Sequence, residues 1–240
     1  MISETPLAYR DLETPLSGLL YRDETVSGPR PGILLAHGGA GLDDHARDQA
    51  RRYAALGYVV HACDMFGPGV AGDRERVIAC LTALRDDPAL LVRRGRAGLA
   101  ALSDAAGTDG RVAAVGFCFG GLAVLALARA GERLAGVASI HGSLATSRPA
   151  EPGSVRASVL VCHGALDPHV PLDHVTAFAD EMNNAGADWQ LIMYGGALHG
   201  FTHEGATPGA VPGVAYDPRA DARSFAATRA FLAGLFDDDC

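Results

Sequence analysis

The sequence predicts an α/β fold, with a mostly parallel central sheet and helices on both faces. Two observations carry that expectation. Short apolar runs of strand character (Gly32–Ala36, Tyr58–Cys63, Val112–Val115, Leu134–Ile140, Ser158–His163 and Trp189–Tyr194) alternate with longer segments of helical character. Glycine-bearing loops follow these runs, and the carboxyl ends of parallel strands are where reactive groups gather. At 240 residues with 48% apolar content and 30 glycines, the chain reads as a single α/β domain, 1–240, rich in tight turns.

Each element has a local reason. Two short β-like pieces stand near Leu7–Tyr9 and Gly18–Tyr21. The buried-strand run Gly32–Ala36 ends in the glycine-rich loop His37-Gly38-Gly39-Ala40-Gly41. Asp43 or Asp44 can cap a helix running to about Leu56, and Gly57 stops it. After the strand Tyr58–Cys63, a loop with Gly67, Pro68, Gly69 and Gly72 leads into helical segments near Asp73–Arg85 and Pro88–Ala106. The strand Val112–Val115 turns through Gly116-Phe117-Cys118-Phe119-Gly120-Gly121 into the helical run Leu122–Arg129. Further helices are expected at Leu172–Ala185 and Pro218–Phe236, and Asp237–Asp239 reads as a solvated acidic end.

Charge and cysteine usage narrow the function classes. A formal net charge of −8 with no long basic run argues against nucleic acid as a partner. Nothing resembles a run of about 18 apolar residues, and Met1-Ile2-Ser3-Glu4 lacks a basic-then-apolar start, so no membrane association is expected. The five cysteines (Cys63, Cys80, Cys118, Cys162 and Cys240) are odd in number and without CxxC spacing. Reduced thiols in a cytoplasmic protein fit that pattern better than disulfides or structural zinc. Cys63, Cys80 and Cys162 lie in or beside apolar runs and read as core. Nine histidines show no HExxH or comparable spacing, so no metal is expected. The state expected is a monomer or weak homodimer.

The chemistry lies in three strand-end loops. Small-x-nucleophile-x-Gly between strand and helix is a nucleophile elbow, whose turn is so tight that only small residues fit two before and two after the nucleophile. Here Cys118 takes that place. Asp167 stands in Gly164-Ala165-Leu166-Asp167-Pro168, just beyond an apolar strand, and His199 in Gly195-Gly196-Ala197-Leu198-His199-Gly200, beyond the last strand. The chain order nucleophile, acid, histidine suits acyl transfer: His199 pairs with the thiol and Asp167 orients its ring. A helix N-terminus and an imidazolium both favour the thiolate. Oxyanion donors are expected from the backbone N–H of Phe119 and from Gly39, with Gly38 second, while His37 reads as a loop-positioning group.

With those residues in place, the chain resembles the dienelactone hydrolase family of α/β-hydrolases from about Gly32 to Phe236. The marks are GFCFGG, the run GALDPHVP at Gly164–Pro171, LHGF at Leu198–Phe201, and Gly41-Leu42-Asp43-Asp44-His45. The resemblance implies a Cys118–His199–Asp167 triad, an acyl-cysteine intermediate, a small ester or lactone substrate and no cofactor. Two departures bear on the substrate. Gly38 stands where the founding enzymes carry a glutamate that helps activate the cysteine. His203 stands where they carry an arginine for the substrate carboxylate, with Arg74 or Arg76 offered for a second arginine. Phe66, Phe119 and Phe201 are candidate pocket residues, and a lid role for 203–218 stays open. A less specialised ester or lactone hydrolase is therefore expected. Thioester cleavage or acyl transfer by the same triad, and a non-catalytic ligand-binding or redox-sensing role, stay open.

Overall fold

Two ten-residue strands begin the fold. β1 (Ile2–Asp11) and β2 (Thr14–Asp23) pair antiparallel along their whole length, from Ile2 opposite Asp23 to Asp11 opposite Thr14. Sequence pattern marks only their middles, because most of β1 is exposed or half-buried and carries little apolar alternation. Its length comes from the backbone ladder to β2. The computed structural model describes residues 1–236; Asp237–Asp239 and Cys240 lie outside the described residues. The chain divides into two compact units, Met1–Val115 and Gly116–Cys240.

The first unit adds β3 (Arg30–Ala36), α1 (Asp44–Ala54), β4 (Val59–Cys63), α2 (Arg74–Asp86), α3 (Pro88–Ser103) and most of β5 (Thr108–Phe117). Its strands lie in the order β1-β2-β4-β3-β5. β2 meets β4 antiparallel, and β3 runs parallel to β4 from Gly32 opposite Val59 to Ala36 opposite Cys63. The aliphatic residues of β3 and β4 are almost wholly buried, as near-continuous apolar runs in a parallel sheet require. Asp43, not Asp44, caps α1 by accepting from the Ala46 N–H, and Ala46, Ala50, Tyr53 and Ala54 form its buried stripe. Asp87 ends α2 and caps α3, with Pro88 in the first turn. Gly98 lets α3 lie close on the sheet: a Cβ there would come within 3.1 Å of Cys63 Cβ and 3.2 Å of Leu34 Cδ1.

A buried histidine predicts acid sensitivity for this unit. The His61 ring has no exposed surface, its Nδ1–H donates to the Gly98 carbonyl at 3.0 Å, and the Tyr9 ring packs against it edge-on. Its Nε2 meets no hydrogen-bonding group among the described residues. Burial dominates and pushes the imidazole down to about 4, although the Gly98 carbonyl and Asp64 oppose it. Between that value and the unfolded value of 6.5, the unfolded chain binds the extra proton, so stability rises with pH through this window. Between pH 7.5 and pH 4 the parent should lose about 3 kcal/mol more stability than His61→Phe. Urea unfolding at the two pH values measures it, and equal losses would dismiss the assignment.

The second unit holds the end of β5, then α4 (Phe119–Arg129), β6 (Gly136–Ile140), β7 (Ser158–Gly164), α5 (Leu172–Ala185), β8 (Trp189–Tyr194) and α6 (Pro218–Phe236). β6, β7 and β8 are parallel neighbours, with Ile140 opposite Cys162 and Gly164 opposite Tyr194. Every residue of α4 is buried, the mark of a helix apolar on all sides. Its last residue, Arg129, makes a bidentate pair with Glu181 of α5 at 2.8 Å for each bond and donates to the Leu144 carbonyl. The fold is thus α/β with mostly parallel strands, as expected. Helix and strand bounds beyond β2 depart from expectation by a few residues; the largest departure is β5, which begins at Thr108.

Candidate active site

The turn at Cys118 is strained by design of its neighbours. β5 ends at Phe117 and α4 begins at Phe119, so one residue must reverse the chain. Cys118 does so at φ 53°, ψ −112°, a conformation non-glycine residues seldom adopt. Its N–H donates to the Ile140 carbonyl at 3.0 Å, and its own carbonyl accepts from Gly121 N–H at 3.0 Å. These bonds hold the thiol at the N-cap of a buried helix, half-exposed.

Asp167 and His199 are brought to it by two loops that pack on each other. Leu166 N–H donates to the Ala197 carbonyl and Ala165 N–H to the Tyr194 carbonyl, which fastens the loop after β7 onto the end of β8. Gly164 permits this approach, since a Cβ there would fall 2.7 Å from the Ala197 and Leu198 carbonyl oxygens. The Asp167 carboxylate accepts from the His169 N–H at 2.8 Å through Oδ1, and from His199 Nδ1–H at 2.7 Å through Oδ2. His199 Nε2 lies 3.1 Å from Cys118 Sγ. Segment 203–218 is hydrogen-bonded to the histidine loop: His199 N–H donates to Gly213 O, Ala215 N–H to His199 O, and Asp217 N–H to Phe201 O.

The electrostatics follow from that geometry. Burial alone would lower His199, but the hydrogen bonds to Asp167 and to the Cys118 sulfur outweigh it and push the imidazole up to about 10. Burial would raise Asp167; the His199 hydrogen bond and charge, with the His169 N–H, hold it below the ordinary carboxylate value. His163, buried beside them, is lowered mainly by desolvation. Two more imidazoles stand edge-on to His199, His141 at 5.4 Å and His169 at 5.3 Å between ring centroids.

The other expected residues fall in varied surroundings. Phe119 is the first residue of α4, its ring buried. Phe201 has no exposed surface and packs between His141 (5.0 Å) and Tyr194 (5.5 Å). Enclosed by these aromatic neighbours, it does not line an open pocket. His203 is half-buried, its N–H bonded to the Gly200 carbonyl. In the first unit, Gly39 lies in the loop after β3, and Arg74 is exposed at the start of α2. Phe66 packs edge-on against His37 at 4.6 Å. His37 does hold its loop: Nε2 accepts from Met65 N–H at 3.1 Å, and Nδ1–H donates to the Gly38 carbonyl. Sequence reasoning passed over His141 and Thr202, which meet through His141 Nε2 and Thr202 Oγ1 at 2.8 Å. The available signal was a histidine followed by glycine at the carboxyl end of β6.

Comparison with known proteins identifies the family and the fold. The family model described as the dienelactone hydrolase family matches residues 16–236. The solved structure of m3DLH superposes with a TM-score of 0.92 at 37% identity, covering 98% of this chain and 99% of that one. A dienelactone hydrolase-like promiscuous phosphotriesterase from metagenomic libraries does so with 0.90 at 38% identity, covering 98% of each. An uncharacterized protein of Caenorhabditis elegans, K02A2.1, is 40% identical over 70 residues, 29% of this chain; the match spans 44% of that protein.

Proposed function

The chain belongs to the dienelactone hydrolase family, a hydrolase family with the α/β-hydrolase fold, and from that membership we propose that it cleaves small carboxylic esters or lactones through an acyl-cysteine intermediate. The observation that carries this reading is the continuous line Asp167 Oδ2, His199 Nδ1, His199 Nε2, Cys118 Sγ, with contacts of 2.7 and 3.1 Å. In the resting enzyme the imidazolium of His199 stabilises a Cys118 thiolate. The sulfur adds to the substrate carbonyl, and the backbone N–H of Phe119 stabilises the resulting oxyanion. As the C–O bond breaks, His199 Nε2–H protonates the departing alkoxide. Neutral His199 then takes a proton from water, the hydroxide adds to the thioester, and the acid leaves as the thiolate–imidazolium pair is restored. Asp167 keeps the ring in the orientation both steps need.

A short p-nitrophenyl ester tests the proposal. The parent should release nitrophenol and show an acyl mass adduct on the Cys118 peptide after acid quench, while Cys118→Ala falls to the buffer rate. Equal turnover by both proteins would overturn it. A second reading is favoured by the phosphotriesterase relative at 38% identity: the same thiolate displaces an aryloxide, protonated by His199, from a phosphotriester. Water activated by His199 then cleaves the S–P bond to release the dialkyl phosphate and the thiolate. Comparing kcat/KM for a p-nitrophenyl carboxylate and a p-nitrophenyl dialkyl phosphate decides which group is preferred.

A further inference from the structure

A non-glycine residue at positive φ is costly, and three occur among the described residues. Leu12 lies in the exposed β1–β2 turn and Cys118 in the elbow. The third, His141 at φ 40°, is the residue directly after β6. Its ring is buried to 1% exposure. The backbone around it is pinned on both sides: His141 N–H donates to the Cys162 carbonyl at 2.8 Å, and the carbonyl of Ile140, one residue before, accepts from Cys118 N–H. Gly142, one residue after, sits against α4 so closely that a Cβ there would come within 2.7 Å of Gly121 Cα.

The side chain held in this way points at the histidine loop. His141 Nε2 and Thr202 Oγ1 share a hydrogen bond of 2.8 Å, buried from solvent. Thr202 is itself 3% exposed and lies three residues beyond His199. The His141 ring also stands at 64° to the His199 ring with centroids 5.4 Å apart, and at 83° to Phe201. One residue therefore bonds through its neighbour to the nucleophile's backbone, and through its ring to the base and to the loop that carries the base. We infer that His141, through Thr202, is a positioning residue that sets the His199 imidazole against the Cys118 sulfur. The inference rests on the proposed role of His199, and it predicts coupling between residues that no acid–base role would join.

The test separates orientation from folding and from activity. Removing the hydroxyl in Thr202→Val should lower kcat on the p-nitrophenyl ester about ten- to a hundredfold, with KM within about twofold. Thr202→Ser, which keeps the hydroxyl, should stay within about threefold of the parent. His141→Asn, which tolerates positive φ but cannot reach Thr202 in the same geometry, should behave like Thr202→Val. Iodoacetamide labelling of Cys118 between pH 5 and 9 reads the same orientation without any ester. The parent should label at a rate nearly flat with pH, and Thr202→Val and His141→Asn should show a rise shifted toward alkaline pH. Parent-like kcat and labelling in folded Thr202→Val and His141→Asn would overturn the inference. So would a loss of kcat with an unchanged labelling profile, which would mean a merely structural contact. If the parent labels as described but turns over no ester, the hydrolase reading fails while the labelling comparison still decides the role of His141.

Discussion

Replacing His199 with alanine is expected to lower kcat/KM on a short aryl ester by a thousandfold or more, about 4 kcal/mol of transition-state stabilisation. Two losses combine. In the proposed mechanism the imidazole that shuttles the proton is gone, and so is the cation that holds Cys118 as thiolate at 3.1 Å. The second loss has its own pH signature. His199, raised to about 10 by Asp167 and the sulfur against the effect of burial, keeps its proton throughout the neutral range. Because that folded value lies above the unfolded 6.5, the stabilisation that protonated His199 contributes is complete below 6.5 and is lost as pH rises through 10. In the parent, alkylation of Cys118 should therefore vary little from pH 6 to 9. In His199→Ala only the helix N-terminus still favours the thiolate, so labelling should climb with pH across that range and at pH 6.5 slow by about tenfold or more. Parent-like labelling at pH 6.5 in the variant would refute the ion pair, whatever happens to ester turnover.

Gly116→Ala should be among the most damaging single-methyl changes in the chain. A Cβ at residue 116 would lie 2.0 Å from the Gly120 carbonyl oxygen, 2.2 Å from its carbon and 2.7 Å from Gly121 N. All three are backbone atoms of the elbow and the first turn of α4, so no side chain can swing aside. The helix must shift or the strained turn at Cys118 must open. We expect a loss of about 4 kcal/mol or more, lowering Tm by roughly 10 °C or more. Gly195→Ala is the control: it lies in an exposed loop with nothing within 4 Å of the added methyl, and should cost well under 1 kcal/mol. Thermal melts of the two variants side by side measure the contrast, and similar Tm values would contradict the steric account of the elbow.

Much of this was legible because the relevant forces are local. The elbow announces itself through Gly116, Cys118 and Gly120, since the turn tolerates only small flanking residues. Runs such as Ser158–His163 and Trp189–Tyr194 are bounded by glycine and read almost to the residue. The first hairpin was half-missed for the opposite reason: pairing with β2, not apolar burial, makes β1 a strand. Phe201 is legible as an aromatic two residues beyond His199, yet its surroundings are not. Only packing against His141 and Tyr194 shows it to be enclosed. Segment 203–218 likewise reads as a loose Gly- and Pro-rich loop, while its hydrogen bonds to His199 and Phe201 tie it to the site.

The sequence by itself determined the fold class and singled out Cys118, Asp167 and His199 as the proposed nucleophile, acid and histidine, because turn sterics and strand-end placement are written in short stretches of chain. The tertiary structure alone decided which histidine touches which. His141 and His169 both stand against His199 from positions 58 and 30 residues away, and the glycine after His141 does not set it apart from His37, which Gly38 follows. That choice is made by the register of β6, β7 and β8. Parallel pairing brings three strand ends together, and the close backbone approaches at Gly142 and Gly164 then fix how near the rings come.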